Sequence, residues 1–149
     1  MRKANLLIWA AWILHVAAWF LPTLRAQDFH PAVRGWTATR LAACAIWPYG
    51  LVQFKTVYSA ELATVSVATT LFFVLCSPWV ALRGSRSVQR WSAWVAAAAF
   101  VFNMHWIVIF GQQRSQLAVG YFVWLLSFLL LAIGLFVPSR IVLRQRAVG

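Results

Sequence analysis

Residues 117–137 read LAVGYFVWLLSFLLLAIGLFV. These 21 residues carry no charge, and their only polar side-chain groups are the hydroxyls of Tyr121 and Ser127 and the indole of Trp124. An α-helix rises ~1.5 Å per residue, so the run spans ~30 Å, the thickness of a bilayer's hydrocarbon core. A buried helix of a soluble chain of 149 residues is seldom apolar on every face for that long. The stretch therefore reads as a transmembrane helix, and the other apolar runs become its partners.

Working outward, three further runs have the length and composition of spans. The expected architecture is an all-α membrane protein with four transmembrane helices in a bundle, at about residues 4–22, 58–79, 91–110 and 117–137. Residues 25–55 form an outer loop between the first two spans, and residues 138–149 a basic cytoplasmic tail. Pro138 is expected to stop the last span. Within the loop, Leu41 to Phe54 is apolar but too short to cross, and Pro48 and Gly50 interrupt it. It reads as a re-entrant or interfacial segment anchored by Trp36 and Trp47, or as a loop packed over the bundle. The first run alternatively suits a secretory signal, but Leu24-Arg25-Ala26 makes a poor cleavage site and three tryptophans are bulky for a signal core.

Composition supports the membrane reading: 63% of residues are apolar, 10% are charged, and there are ten Trp. Thirteen Lys and Arg face only two acids, Asp28 and Glu61, for a net charge of +11. In a soluble chain that balance would suggest nucleic acid; here the basic residues sit at the ends of apolar runs, so none is expected to serve nucleic acid. The basic head, the turn Arg83–Arg90 and the tail hold two, three and three basic residues, against five (Arg25, Arg34, Arg40, Lys55 and Arg114) on the other side. The positive-inside bias places both termini in the cytoplasm of what reads as a bacterial inner membrane, with anionic lipid at that face. Cys44 and Cys76 then lie near opposite faces, too far apart for a disulfide.

Few residues carry chemistry. His15 sits near the middle of span 1, and ionisable groups at that depth are functional candidates. The alternative is a histidine hydrogen-bonded across the bundle to a Ser, Thr or Asn. His105 shares a helical face with Trp94, Ala98 and Val101, whereas Asn103 lies about 200° around the helix. Two histidines on different spans, His15 and His105, are the minimum that holds a haem iron, so haem is the one cofactor to consider. Glu61 is a candidate proton carrier or a headgroup-level partner of Lys55. Asp28-x-His30 resembles a fragment of a metal site, but two loop ligands do not make one, and no metal is expected. On span 2, Ser59, Ala63, Ser66, Thr70 and Ser77 share a stripe that suits close helix packing, or lines a path in an oligomer. The Ala96–Ala99 block of span 3 suits close packing as well. Phosphate-cradling loops, nucleophile elbows and paired carboxylates are missing from the sequence. The expected role is a non-enzymatic accessory or structural component of a membrane complex, with a membrane-protein partner or a second copy of itself. The rivals are a redox or proton-handling subunit and a small oligomeric transporter or channel protomer.

Overall fold

The computed structural model describes residues 2–26, 31–44 and 57–146. The chain is mostly helical: α1 (Arg2–Phe20), β1 (Pro22–Leu24), β2 (Val33–Arg34), α2 (Gly35–Ala43), α3 (Val57–Arg83), α4 (Arg86–Asn103), α5 (His105–Phe110), a 3-10 turn (Gly111–Gln116) and α6 (Val119–Arg146). Among the described residues, three stretches are long and apolar enough to cross a membrane, Ala60–Val80, Arg86–Ile109 and Val119–Val137, and Asn5–Phe20 is a shorter apolar helix.

Each boundary has a local cause. Pro22 disfavours helical geometry at Leu21, and α1 ends at Phe20. Ser85 caps α4, its hydroxyl accepting from the Val88 amide at 3.4 Å. The segment after α1, expected as open loop, is instead ordered around β1. Its strand pairs antiparallel with β2, Pro22 opposite Arg34 and Leu24 opposite Val33. On its other side Leu24 bridges to Leu117, the Ala118 amide donates to Thr23 O at 2.9 Å, and the Arg25 amide donates to Gln116 O at 2.8 Å. This clasp fastens the end of α1 to the start of α6. Of the segment Leu41 to Phe54, Leu41–Ala43 is the last turn of α2; residues 45–54, with Trp47, lie outside the described residues, as do Asp28 and His30.

Two prolines near the expected span ends lie inside helices, Pro138 against expectation. Pro138 does not stop α6, which runs on to Arg146, and Pro78 lies inside α3, which runs on to Arg83. A helix continues through proline when a neighbour satisfies the carbonyl that proline cannot serve. Pro78 has no N–H for Val74 O, and Trp12 of α1 supplies the replacement, its indole N–H donating to that carbonyl at 3.3 Å.

α6 is the central element, packing along both α1 and α4, while α3 closes against α1 and α4 and α2 leans on α3 and α1. The core gathers Ile8 and Ala11 of α1, Phe73 and Val80 of α3, Ala93, Ala96 and Ala99 of α4, and Phe128, Leu131 and Leu135 of α6. Small residues set the close approaches. Gly120 and Gly134 share one face of α6; a Cβ on Gly120 would lie 2.7 Å from Pro22 O, and one on Gly134 would lie 3.1 Å from the Leu7 Cβ. Small residues at such crossings let helix backbones meet where lipid provides no hydrophobic push.

Because its neighbour is backbone rather than a side chain that can swing away, Gly120→Ala is expected to lower stability by about 1–3 kcal/mol. The exposed neighbour Val119 changed to Ala should have little effect. Thermal melts of the detergent-purified variants check this, and equal midpoints for Gly120→Ala and wild type would contradict the crossing.

Candidate functional site

The polar interior is built around a break in a helix. α4 ends at Asn103, Met104 makes a turn, and α5 begins at His105. The Ile107 amide reaches Met104 O at 3.0 Å, a tighter bond than the α-helical one to Asn103 O. The Asn103 carbonyl accepts instead from the Tyr121 hydroxyl of α6 at 2.8 Å. The Asn103 side chain is fully enclosed. Its Oδ1 accepts from the Ser66 hydroxyl at 2.8 Å, and its Nδ2 donates to Ala99 O at 2.8 Å and to Thr69 Oγ1 at 3.1 Å. Ser66 in turn accepts from the Trp106 indole at 3.1 Å, and Thr70 from the Trp124 indole at 3.3 Å. Helices α3, α4 and α6 are thus pinned together by one connected set of hydrogen bonds.

His15 forms a second polar contact. Its ring has 0% exposure, stacks on Phe73 with centroids 4.1 Å apart, and meets the edge of Phe128 at 5.3 Å. His15 Nδ1 lies 2.8 Å from Ser127 Oγ. The Ser127 hydroxyl has one proton and gives it to Trp124 O at 2.6 Å. It therefore accepts from His15, so the proton is on Nδ1 and Nε2 is a bare acceptor. His105 is arranged alike: Nδ1 donates to Phe102 O at 2.6 Å, since a carbonyl only accepts. Both Nε2 atoms, and the indole nitrogen of Trp19, are buried with no hydrogen-bond partner among the described residues.

The two histidines keep separate company. His15 rests among Phe73, Phe128 and Ser127, while His105 rests against Phe102 and Trp106. The face expected to carry His105 into the interior turns outward: Trp94 is 60% and Val101 67% exposed, whereas Asn103 is 0% exposed. It is Asn103, on the opposite side, that joins the interior with Ala93, Ala96 and Ala99. The hydroxyl stripe of α3 faces inward: Ser66, Thr70 and Ser77 are buried, and the Ser77 hydroxyl bonds back to Phe73 O of its own helix at 2.5 Å. The side chain of Ser59 lies outside the described residues, and Glu61 is exposed. Cys44 and Cys76 are free thiols. No group of three or more His, Cys, Asp or Glu gathers among the described residues.

Beside this network lies a cavity of about 260 Å³ at the end of the molecule where β1, β2 and α2 cover the long helices. Val33, Ala38 and Leu41 line it from β2 and α2, and Trp19, Trp106 and Trp124 from α1, α5 and α6. Ser66 and Thr70 of α3 also line it, with their hydroxyls engaged as above. Neither His15 nor His105 lines it, and no charged side chain among the described residues does. Sequence reasoning missed Asn103, Tyr121 and the three indoles here. The available signal was a lone amide inside an apolar run, where a polar side chain needs a partner whichever way the helical wheel points.

An interhelical hydrogen bond in a membrane protein is worth on average about 0.6 kcal/mol, so a single contact decides little and a node with several decides more. Asn103→Ala is expected to destabilise the purified protein by about 1–3 kcal/mol, because it also strands Ser66. Thr69→Val, at the edge of the network, should cost less. Unfolding in mixed micelles checks the order; the reverse ranking would contradict it.

No family model, curated protein or solved structure matches the chain.

Proposed function

We propose that this chain is a four-span integral protein of a bacterial inner membrane, with both termini cytoplasmic. Its role is that of a non-enzymatic accessory or structural component of a membrane complex. The observation that carries the reading is where the interior polar groups go. Asn103, Ser66, Thr70, Tyr121, Ser127 and Trp12 hold helix to helix or neighbouring carbonyls, as a packing seam does and a solvated path or reacting centre does not. α1 supplies the fourth span: its 19 helical residues rise ~28 Å, and Ile8, Ala11, His15 and Ala18 are buried. Outward-facing Leu75, Val101 and Val108 suit lipid or a partner helix. Exposed Trp79, Trp91 and Trp94 flank the basic turn Arg83–Arg90 in the manner of an interfacial belt.

The transporter or channel reading needs the α3 stripe to be wet along its length. Ser77 lies beyond the cavity and is buried. In a background without Cys44 and Cys76, Ser77→Cys in membranes is expected to resist a water-soluble thiol reagent from either side. Rapid modification would overturn the dry seam and favour a path.

The redox reading has one supporting observation, the two buried and unpartnered Nε2 atoms of His15 and His105. Against it, the His15 ring is enclosed by Phe73 and Phe128, and the cavity borders neither histidine. The described residues do not fit a haem held between them. A colourless protein from haem-replete cells accords with the accessory reading; a Soret band lost in both His15→Ala and His105→Ala would replace it with the redox one.

A further inference from the structure

The cavity lies at the end of the molecule away from the basic turn, and its surroundings point to an occupant. Among the described residues its lining is mostly aliphatic and aromatic, with the hydroxyls of Thr23, Thr39, Ser66 and Thr70 and no charged side chain. These hydroxyls are already engaged: Ser66 donates to Asn103, Thr23 to Val33 O at 2.9 Å and Thr39 on the covering helix to Gly35 O at 3.0 Å, while Thr70 accepts from Trp124. Such a chamber suits an apolar chain. At about 260 Å³ it falls below the ~300–1,000 Å³ that encloses a drug-sized ligand, so a single slender chain suits it better than a broad ring system.

The elements that wall the cavity also carry charge. Arg25 follows Leu24, Arg34 stands between Val33 and Gly35, and Arg40 stands between Thr39 and Leu41; each of those five neighbours lines the cavity, and all three arginines are exposed. Arg40 is held with its guanidinium carbon 5.8 Å from the Trp36 ring centroid, and Trp36 is itself exposed. Thirteen basic residues share two acids in the whole chain. Counter-charge for most of them has to come from another molecule.

We infer that this end of the protein is a binding site for an anionic lipid, with one acyl chain in the cavity and the anionic headgroup at Arg25, Arg34 and Arg40. The headgroup is a phosphate or a carboxylate, supplied by a phospholipid of the surrounding leaflet or by a free fatty acid. Guanidinium recognises either anion through paired N–H donors. The site rests on the membrane placement proposed above and is independent of the accessory role.

The test uses the full chain reconstituted in phosphatidylcholine vesicles. These carry a small fraction of phosphatidylglycerol, or of a free fatty acid, with a photoreactive diazirine on the acyl chain. After illumination, the cross-linked peptides are mapped by mass spectrometry. The expected result is labelling at cavity residues such as Trp19, Ala38 and Ala63, in addition to the lipid-facing surface around Leu71 and Leu75. Whether the phospholipid or the fatty acid labels the cavity identifies the source, and either supports the site. Arg34→Gln combined with Arg40→Gln, on exposed positions that leave the core alone, should cut cavity labelling roughly tenfold while sparing the surface. Ala38→Phe should block the cavity. Labelling confined to Leu71, Leu75 and other lipid-facing positions would overturn the site but keep the membrane placement. Labelling nowhere would overturn both. Equal cavity labelling by a diazirine phosphatidylcholine, unmoved by the arginine changes, would overturn the anionic headgroup.

Discussion

A backbone carbonyl in an apolar interior has no water to turn to, and the rest of this structure depends on how that constraint is met. Two carbonyls that lose their own helix's donor show how. Pro78 offers no N–H to Val74 O, and the turn at Met104 leaves Asn103 O outside the α-helical ladder. Each is answered by an aromatic side chain from a neighbouring helix, Trp12 of α1 and Tyr121 of α6. These bonds fix not only which helices touch but the depth at which they do. A helix sliding by one turn would leave a donor and an acceptor unpaired together, a cost of about 1–3 kcal/mol for each stranded group.

The same logic orders the side chains. Asn103 reaches α3 through Ser66 and Thr69, and His15 reaches α6 through Ser127. Both contacts lie near the small-residue crossings of Ala11, Ala18, Ala96 and Ala99, where helices come close enough for short polar groups to meet. The cavity follows from the same arrangement. Under β1, β2 and α2 the indoles of Trp19, Trp106 and Trp124 line it together with Ala18 and Ala63 of the long helices. One end of the molecule is thus a largely apolar cavity lined by arginine-bearing elements, and the other carries the basic turn Arg83–Arg90.

Much of this organisation was legible in the sequence. The long apolar runs marked where the helices lie, because length and lack of charge survive any detail of packing, but neither the run of α6 to Arg146 nor the break at Met104. The alanines of α4 and the hydroxyls of α3 marked inward faces. The choice between His105 and Asn103 went the other way for a physical reason. In lipid, Trp94 and Val101 are as well placed outside as inside, so apolar residues do not tell the faces of a span apart, and small ones do. Pro138 reads as a stop from sequence because the carbonyl it frees needs a partner that only tertiary structure supplies. The clasp was invisible for a similar reason: its pairing joins Thr23 to Ala118 and Arg25 to Gln116 across most of the chain.

The claim that a neighbouring helix supplies the hydrogen bond that proline removes is open to a double-mutant cycle on Trp12 and Pro78. Pro78→Ala restores an N–H within reach of Val74 O, so the indole is no longer needed there. The account predicts that Trp12→Phe costs about 1 kcal/mol more in the wild-type background than in Pro78→Ala, the loss of ring volume being common to both. An equal cost in the two backgrounds would mean that Trp12 does not serve that carbonyl, and that α1 and α3 are held in register by something else.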